Sequence, residues 1–380
     1  MRSQRFLPAP LRLTAALFAL QTVVTAPALA DVPANWIKSG PDAYVLSPGS
    51  VNIEGSLHRV NDTIDFLNFR DDLQEINARL VGDSGDLEGS GINLRVGVWR
   101  GLEFFYQRQQ QELMLEVSPS SRTNIVDLDR SLDTERTEYG LNWVLYEENN
   151  RRSNSPWRSI ALELSRTEGS SDEFGGNLEW VQLSSTTTVS FDPPQRFALN
   201  RLEDESWQAR LVATQPISRN STLSVWTSYG RAESSSGTYT EIDLPSIANA
   251  FYQTFDAKET VTKAGFAINW QPVARLPIQA GYEYIHISDR DLDAVTSNST
   301  MVPSFLRGSN LGSGARKNHT AFASVNWWIT QNVYVGATGR WYRNQFAGVV
   351  PHYNNPLSGR FSDTNFGYAE LKLGVRFGKR

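Results

Sequence analysis

The residues best placed to do chemistry are His286 and Ser288, separated by Ile287. On an extended chain, positions two apart share a face. The imidazole and the hydroxyl would therefore continue the row Ile278, Ala280, Tyr282 and Tyr284. A histidine that takes the proton of a neighbouring serine turns it into a nucleophile, and a third group must fix the ring. The plainer reading is a polar pair above a tyrosine belt. Asp289, Asp291 and Asp293 follow with the alternation that opens a calcium loop. Ala294 occupies the position of the turn glycine, and Thr300 that of the closing glutamate, so a solvated acidic loop is expected instead.

The rest of the chain excludes much. It has no cysteine, which removes disulfides and thiolate chemistry. His58, His286, His319 and His352 lie far apart, with no i, i+4 pair of the kind a helical metal site uses, so neither metal nor cofactor is expected. No phosphate-binding loop, dinucleotide fingerprint or paired-carboxylate motif appears.

Residues 1–30 read as a secretory signal peptide. Arg2, Arg5 and Arg12 precede an apolar stretch from Leu13 to Leu29 that ends in Ala28-Leu29-Ala30. Cleavage there takes three of the 36 basic residues and none of the 41 acids, leaving an acidic chain. Nucleic-acid binding would want the opposite sign. Beyond Asp31 no stretch approaches the roughly 20 apolar residues of a membrane helix. Aromatics make up 11% of residues, with 11 tryptophans, while mean hydropathy is −0.39. That combination suits strands that are apolar on one face only.

The mature sequence shows a period of two. Val333, Val335, Ala337, Gly339 and Trp341 alternate with Tyr334, Gly336, Thr338, Arg340 and Tyr342. Counted back from the C-terminus, strands are expected at 364–377, 332–346, 316–329, 277–290, 258–270, 220–233, 203–214, 156–168, 134–146, 102–112, 88–99 and 73–82. Short connections alternate with long ones at Leu113–Asp133, Glu168–Leu202, Ala232–Ala257, Arg290–Ala315 and Ala347–Asp363. Long strands, alternating loop lengths and tryptophan at the short turns predict an all-β fold. It is a transmembrane antiparallel up-and-down β-barrel of about 12 strands, within a range of 10 to 14. Trp99, Trp157, Trp270, Trp327 and Trp328 would form its interfacial girdle.

The expected organisation is a signal peptide at 1–30, a periplasmic lead-in at 31–50 and the barrel at 51–380. Val51–Val60 also alternates, and three roles are open to it: an extra strand, the true first strand, or a piece folded into the pore. Leu178–Phe191, inside the longest loop, could add a hairpin. The inward face would carry Arg79, Arg95, Glu103, Glu163, Arg210, Lys263, Glu283, Arg340, Glu370, Lys372 and Arg376. Those charges either tune an open pore or pair across a narrow interior and plug it.

On this pattern the chain resembles bacterial outer-membrane β-barrel proteins as a class. Its last segment, from Tyr368 to Phe377, looks like the C-terminal signal such proteins present to their insertion machinery: Lys372, Gly374 and Phe377 match, and the tail Gly378-Lys379-Arg380 departs from the usual aromatic end. The resemblance implies an outer-membrane location and contact with membrane lipid and lipopolysaccharide. It also implies a channel or transporter for small polar or amphipathic solutes, or else a structural barrel presenting its loops. Outer-membrane phospholipases and lipid A deacylases carry a His-x-Ser pair on such a strand. By that resemblance His286 and Ser288 would be catalytic and Asn298 their orienter, although Asp289-Arg290 stands where those families place Asn and usually Gly.

Overall fold

A computed structural model describes residues 36–61, 87–114, 123–129, 131–147, 158–199, 203–245, 247–248, 254–295, 317–343 and 365–378. Twelve strands form the wall. They are β1 (Val51–Asn61), β2 (Leu87–Trp99), β3 (Leu102–Met114), β5 (Ser131–Glu147), β6 (Ser159–Ser171) and β9 (Glu203–Ser218), then β10 (Ser221–Thr240), β11 (Thr254–Trp270), β12 (Ile278–Val295), β13 (Lys317–Trp328), β14 (Val333–Arg343) and β15 (Asn365–Phe377). Every neighbour is antiparallel. The ring closes where β1 pairs with β15, from Val51↔Phe377 to Asn61↔Gly367.

Closure follows from the side-chain pattern. Large apolar side chains are exposed on the outside, including Ile53, Leu57, Ile92, Leu141, Phe266, Val335, Leu371 and Leu373, while Asn52, Glu54, Asn142, Ser228, Asn269 and Gln279 are buried inside. This polarity is the reverse of a soluble protein's. A sheet with an apolar exterior needs hydrocarbon around it, and hydrocarbon satisfies no free backbone N–H or C=O, so the ladder has to close. Among the described residues no helix is long and apolar enough to cross a membrane.

Connections of two residues (100–101 and 219–220), four (329–332) and seven (271–277) lie at one end with both described chain ends. The long connections lie at the other. Gly101 holds a φ of 76° in the tight β2–β3 turn, a left-handed conformation open to glycine at little cost.

The sequence expectation of twelve strands holds, but the first of them is corrected. β1 pairs with β2 on one side and β15 on the other, which leaves no slot in the wall for 73–82. Residues 73–82 lie outside the described residues. The hairpin expected near Leu178–Phe191 is present but is not part of the wall. β7 (Phe174–Gln182) and β8 (Thr188–Leu199) pair with each other. With the short strand β4 (Thr123–Val126) they build a second sheet at the long-loop end. β10 joins the two sheets: it spans the wall with β9 and β11, then pairs Thr238–Thr240 with β8. Phe174, Leu178, Val181 and Phe197 of this outer sheet are fully buried.

Leu57 and Leu371 face each other across the closing pair and are each 68% exposed on the apolar outside. Leu371→Arg, near the middle of β15, is expected to destabilise the barrel by about 2–4 kcal/mol in denaturant titrations in lipid vesicles. Leu371→Ile should be close to neutral.

Candidate functional site

The interior is the candidate site, and its most prominent feature is a strap of the chain's own residues. Residues 36–50 cross the lumen at the short-turn end before entering β1. Trp36 starts beneath β15, where its carbonyl accepts a bond from Arg376 Nη1 at 2.8 Å. Ile37 is buried with Trp328 and Tyr334. Ser39 Oγ accepts from Asn326 Nδ2 at 2.9 Å. On the far wall the Ala43 N–H donates to Thr214 Oγ1 at 3.0 Å, and Ser159 Oγ donates to the Ala43 carbonyl at 3.2 Å. Ala43 packs there in a small apolar cluster with Ala161, Val212, Trp226 and Ala267. The strap then returns to β2 and β3, where the Leu46 N–H reaches Glu103 Oε2 at 2.9 Å and the Gly49 N–H reaches the Gly97 carbonyl at 2.8 Å.

Asp42 sets the bend of the strap. Its carboxylate accepts from Trp36 Nε1 and the Tyr44 N–H, both at 3.0 Å, and lies 3.9 Å from Lys38 Nζ. Burial pushes the Asp42 carboxyl up, against the pull of Lys38 and Trp36. The same burial, reinforced by Arg95, lowers the Lys38 ammonium. Among the described residues, the stretch from Trp36 to Leu46 makes no backbone-to-backbone hydrogen bond with the wall. Its polar attachments to the wall run through wall side chains.

Above the strap lies a cavity of about 330 Å³. Of the charges expected on the inward face, Arg95, Glu163, Arg210, Lys263, Glu283, Arg340, Glu370 and Lys372 line it. Many are paired. Arg210 Nη1 meets Glu163 Oε1 at 2.5 Å, and Lys372 Nζ lies 3.6 Å from Glu54 Oε2. Glu103 is the hub of the wall, binding Arg95, Asn142 Nδ2 at 3.2 Å and the strap's Leu46 N–H. Arg340 and Lys263 have no ion pair within 4.0 Å among the described residues. Arg340 Cζ lies 5.1 Å from the centre of the Tyr368 ring. Arg376 sits lower, 5.3 Å over the Trp328 ring. Arg79 lies outside the described residues.

Trp99, Trp270 and Trp327 are exposed on the outer surface beside the short turns, and Trp157 lies outside the described residues. Trp328 is a correction. It is 2% exposed and faces the lumen, 4.8 Å from the Tyr334 ring. Adjacent residues of a strand point to opposite faces, so Trp327 and Trp328 cannot share the girdle.

His286 and Ser288 stand on the outward face of β12. Ser288 Oγ donates to Asp289 Oδ2 at 3.4 Å, and His286 Nδ1 is buried without a partner. No hydrogen bond joins the two, and Asn298 lies outside the described residues. Among the described residues no group of three His, Asp or Glu could hold a metal ion.

Sequence reasoning missed the strap. Residues 36–50 carry Pro41, Pro48, Gly40 and Gly49 and have no period, so nothing local marks them as buried. The available signal lay in the wall. A Cβ on Gly97 would come within 2.1 Å of the Ser47 carbonyl oxygen, a close approach that only glycine allows.

No family model matches the chain, and no curated protein matches it. Solved structures do. The translocator domain of the autotransporter NalP from Neisseria meningitidis aligns over 87% of this chain and 90% of its own, with a TM-score of 0.49 and 7% identity. The β domain of the Bordetella autotransporter Brka aligns over 88% and 100%, at 0.44 and 7%. An outer membrane channel from Pseudomonas putida aligns over 90% and 100%, at 0.41 and 9%. The closed antiparallel ladder, the apolar exterior and the even strand count define a transmembrane β-barrel of the outer-membrane type.

Glu103→Ala leaves the buried Arg95 guanidinium and the Leu46 N–H without their acceptor. It is expected to cost about 3–5 kcal/mol in chemical unfolding of the detergent-solubilised protein. Thr214→Val, which removes the bond to the buried Ala43 N–H and another with Ser224 Oγ, should cost less, about 1–3 kcal/mol.

Proposed function

We propose that this protein is an outer-membrane channel for small polar or amphipathic solutes, closed at rest by its own residues 36–50. One observation carries the reading. From Trp36 to Leu46 the strap is seated by side-chain bonds and two small apolar clusters, and it pairs with the wall by backbone only at its end, through Gly49 and Ser50, beneath a cavity lined with water-seeking groups. A segment meant only to complete a solid core would bury apolar surface across the whole lumen. Here the described strap crosses the short-turn end, and the space above it keeps charges of both signs. Phe105, Trp226, Phe322, Tyr342 and Tyr368 add aromatic faces to the cavity lining, which suits amphipathic solutes as well as polar ones. The long-loop end would face outward and the strapped end the periplasm, following the loop asymmetry of such barrels.

The outer sheet of β4, β7 and β8 favours a second reading, a barrel that displays a folded platform to a surface partner. Neither reading uses His286 and Ser288, and no contact between them supports hydrolysis.

Conductance in planar bilayers separates the two. Wild-type protein is expected to stay mostly closed, and deletion of residues 36–46 should give steady unitary currents and several-fold faster uptake of small sugars into liposomes. A deletion variant that keeps the heat-modifiable migration of a folded barrel, yet passes neither ions nor sugar, would sink the channel in favour of the platform.

A further inference from the structure

Two rings of the cavity lie over bare backbone. A Cβ on Gly281 would come within 2.5 Å of the Phe322 ring, and one on Gly265 within 2.4 Å of the Trp226 ring. The two side chains therefore lean across β12 and β11 from the strands on either side, and their ring centres lie 6.4 Å apart. Trp226 is held there by its Nε1, which donates to Glu283 Oε2 at 2.8 Å. Phe322 is half-buried and keeps part of its surface on the cavity. Together they make an aromatic ledge on the lumen wall. Gly40 of the strap passes against its Phe322 end, where a Cβ would lie 3.3 Å from Cε2.

Arg340 stands beside this ledge. It is opposite Phe322 on β13 and Tyr368 on β15, with Tyr342 the next inward residue of its own strand. Glu370 stands one inward step lower, opposite Thr338 and His58. Arg340 is exposed in the lumen and makes no ion pair among the described residues. Its contacts are the Tyr368 ring, 5.1 Å from Cζ, and a 3.4 Å bond from Nη1 to the Tyr342 hydroxyl. Other lumen cations are taken: Arg95 by Glu103, Arg210 by Glu163 and Lys372 by Glu54. Lys263 also lacks an ion pair, but Ser228 and Ile285 stand opposite it and no ring does. A guanidinium carries its donors in a planar fork that matches a carboxylate. On Arg340 most of that fork has no acceptor.

We propose that the lumen above the strap binds a small aromatic carboxylate, with its carboxylate on the Arg340 fork and its ring on the Phe322 ledge. A neutral sugar would leave the fork without an acceptor, and an inorganic anion would leave the ledge bare. A cavity of about 330 Å³ stands at the lower end of the range for ligand pockets, which suits a molecule of one ring. This inference names a solute class for the channel reading above. It rests on that reading for the ligand's passage, though not for its binding.

The test is equilibrium dialysis of radiolabelled ligand against the refolded full-length protein in detergent. The probes are benzoate, its neutral amide benzamide, and acetate. Benzoate should bind, with benzamide and acetate each weaker by about tenfold or more. Arg340→Gln should weaken benzoate by about tenfold and leave benzamide where it was, a split that general loss of structure would not give. Phe322→Leu should weaken benzoate by about threefold and spare acetate. Arg108→Gln, on the outer surface, should change nothing. Equal binding of benzoate and benzamide by the wild type would overturn the proposal without the need for any variant. So would acetate bound as tightly as benzoate, or an equal loss in Arg108→Gln. Unchanged benzoate binding by Arg340→Gln that keeps its heat-modifiable migration would do the same. Benzoate bound by a barrel that never conducts keeps this site and loses the channel; a conducting barrel with no preference for benzoate keeps the channel and loses this site.

Discussion

Hydrocarbon offers no partner to a backbone N–H or C=O, and the structure depends on that one constraint. It forces the ladder to close, so the Val51–Asn61 strand has to find Asn365–Phe377 across more than three hundred residues of chain. It also assigns the two faces of every strand, apolar groups outward and polar groups inward. Once the wall is closed, the enclosed polar groups become the problem to be solved. This chain solves it partly with ion pairs between neighbouring strands and partly by folding its own residues 36–50 across the lumen. The cavity is the space that neither device fills.

Glu103 shows how the two devices meet. On the wall it neutralises Arg95 and takes a bond from Asn142, which ties β2, β3 and β5 together on the inside. Its remaining oxygen takes the Leu46 N–H of the strap. A buried carboxylate with a guanidinium partner still has acceptor sites to fill, and a passing backbone amide fills one of them. The strap is therefore positioned by the unused hydrogen-bonding capacity of a pair that the wall needs for itself.

Much of the wall was legible in the sequence because alternation is local. Each strand names its own faces, and the inward charges from Arg95 to Lys372 could be picked out one by one. Pairing partners are not local, and there the reading failed. Residues 73–82 and Val51–Val60 both alternate, and only register against the last strand shows which one closes the ring. The strap was hidden for a related reason. It has no period, and the groups that bury it belong to strands from about fifty residues away, as with Leu46 and Glu103, to well over a hundred, as with Ala43 and Thr214. Trp328 is a different kind of miss. Its neighbour Trp327 already occupied the outer face, and the pleat alone should have turned it inward.

The strap runs directly into β1, with Ser50 followed by the first wall residue, Val51. A segment joined to the wall in this way cannot diffuse off when it leaves its seat. Its return is an intramolecular event, governed by an effective concentration that a tether this short keeps in the millimolar range. In the proposed channel, reclosure would therefore have the same rate however few copies a membrane holds, and a solute competing for the lumen would have to match that local concentration rather than the concentration of the protein.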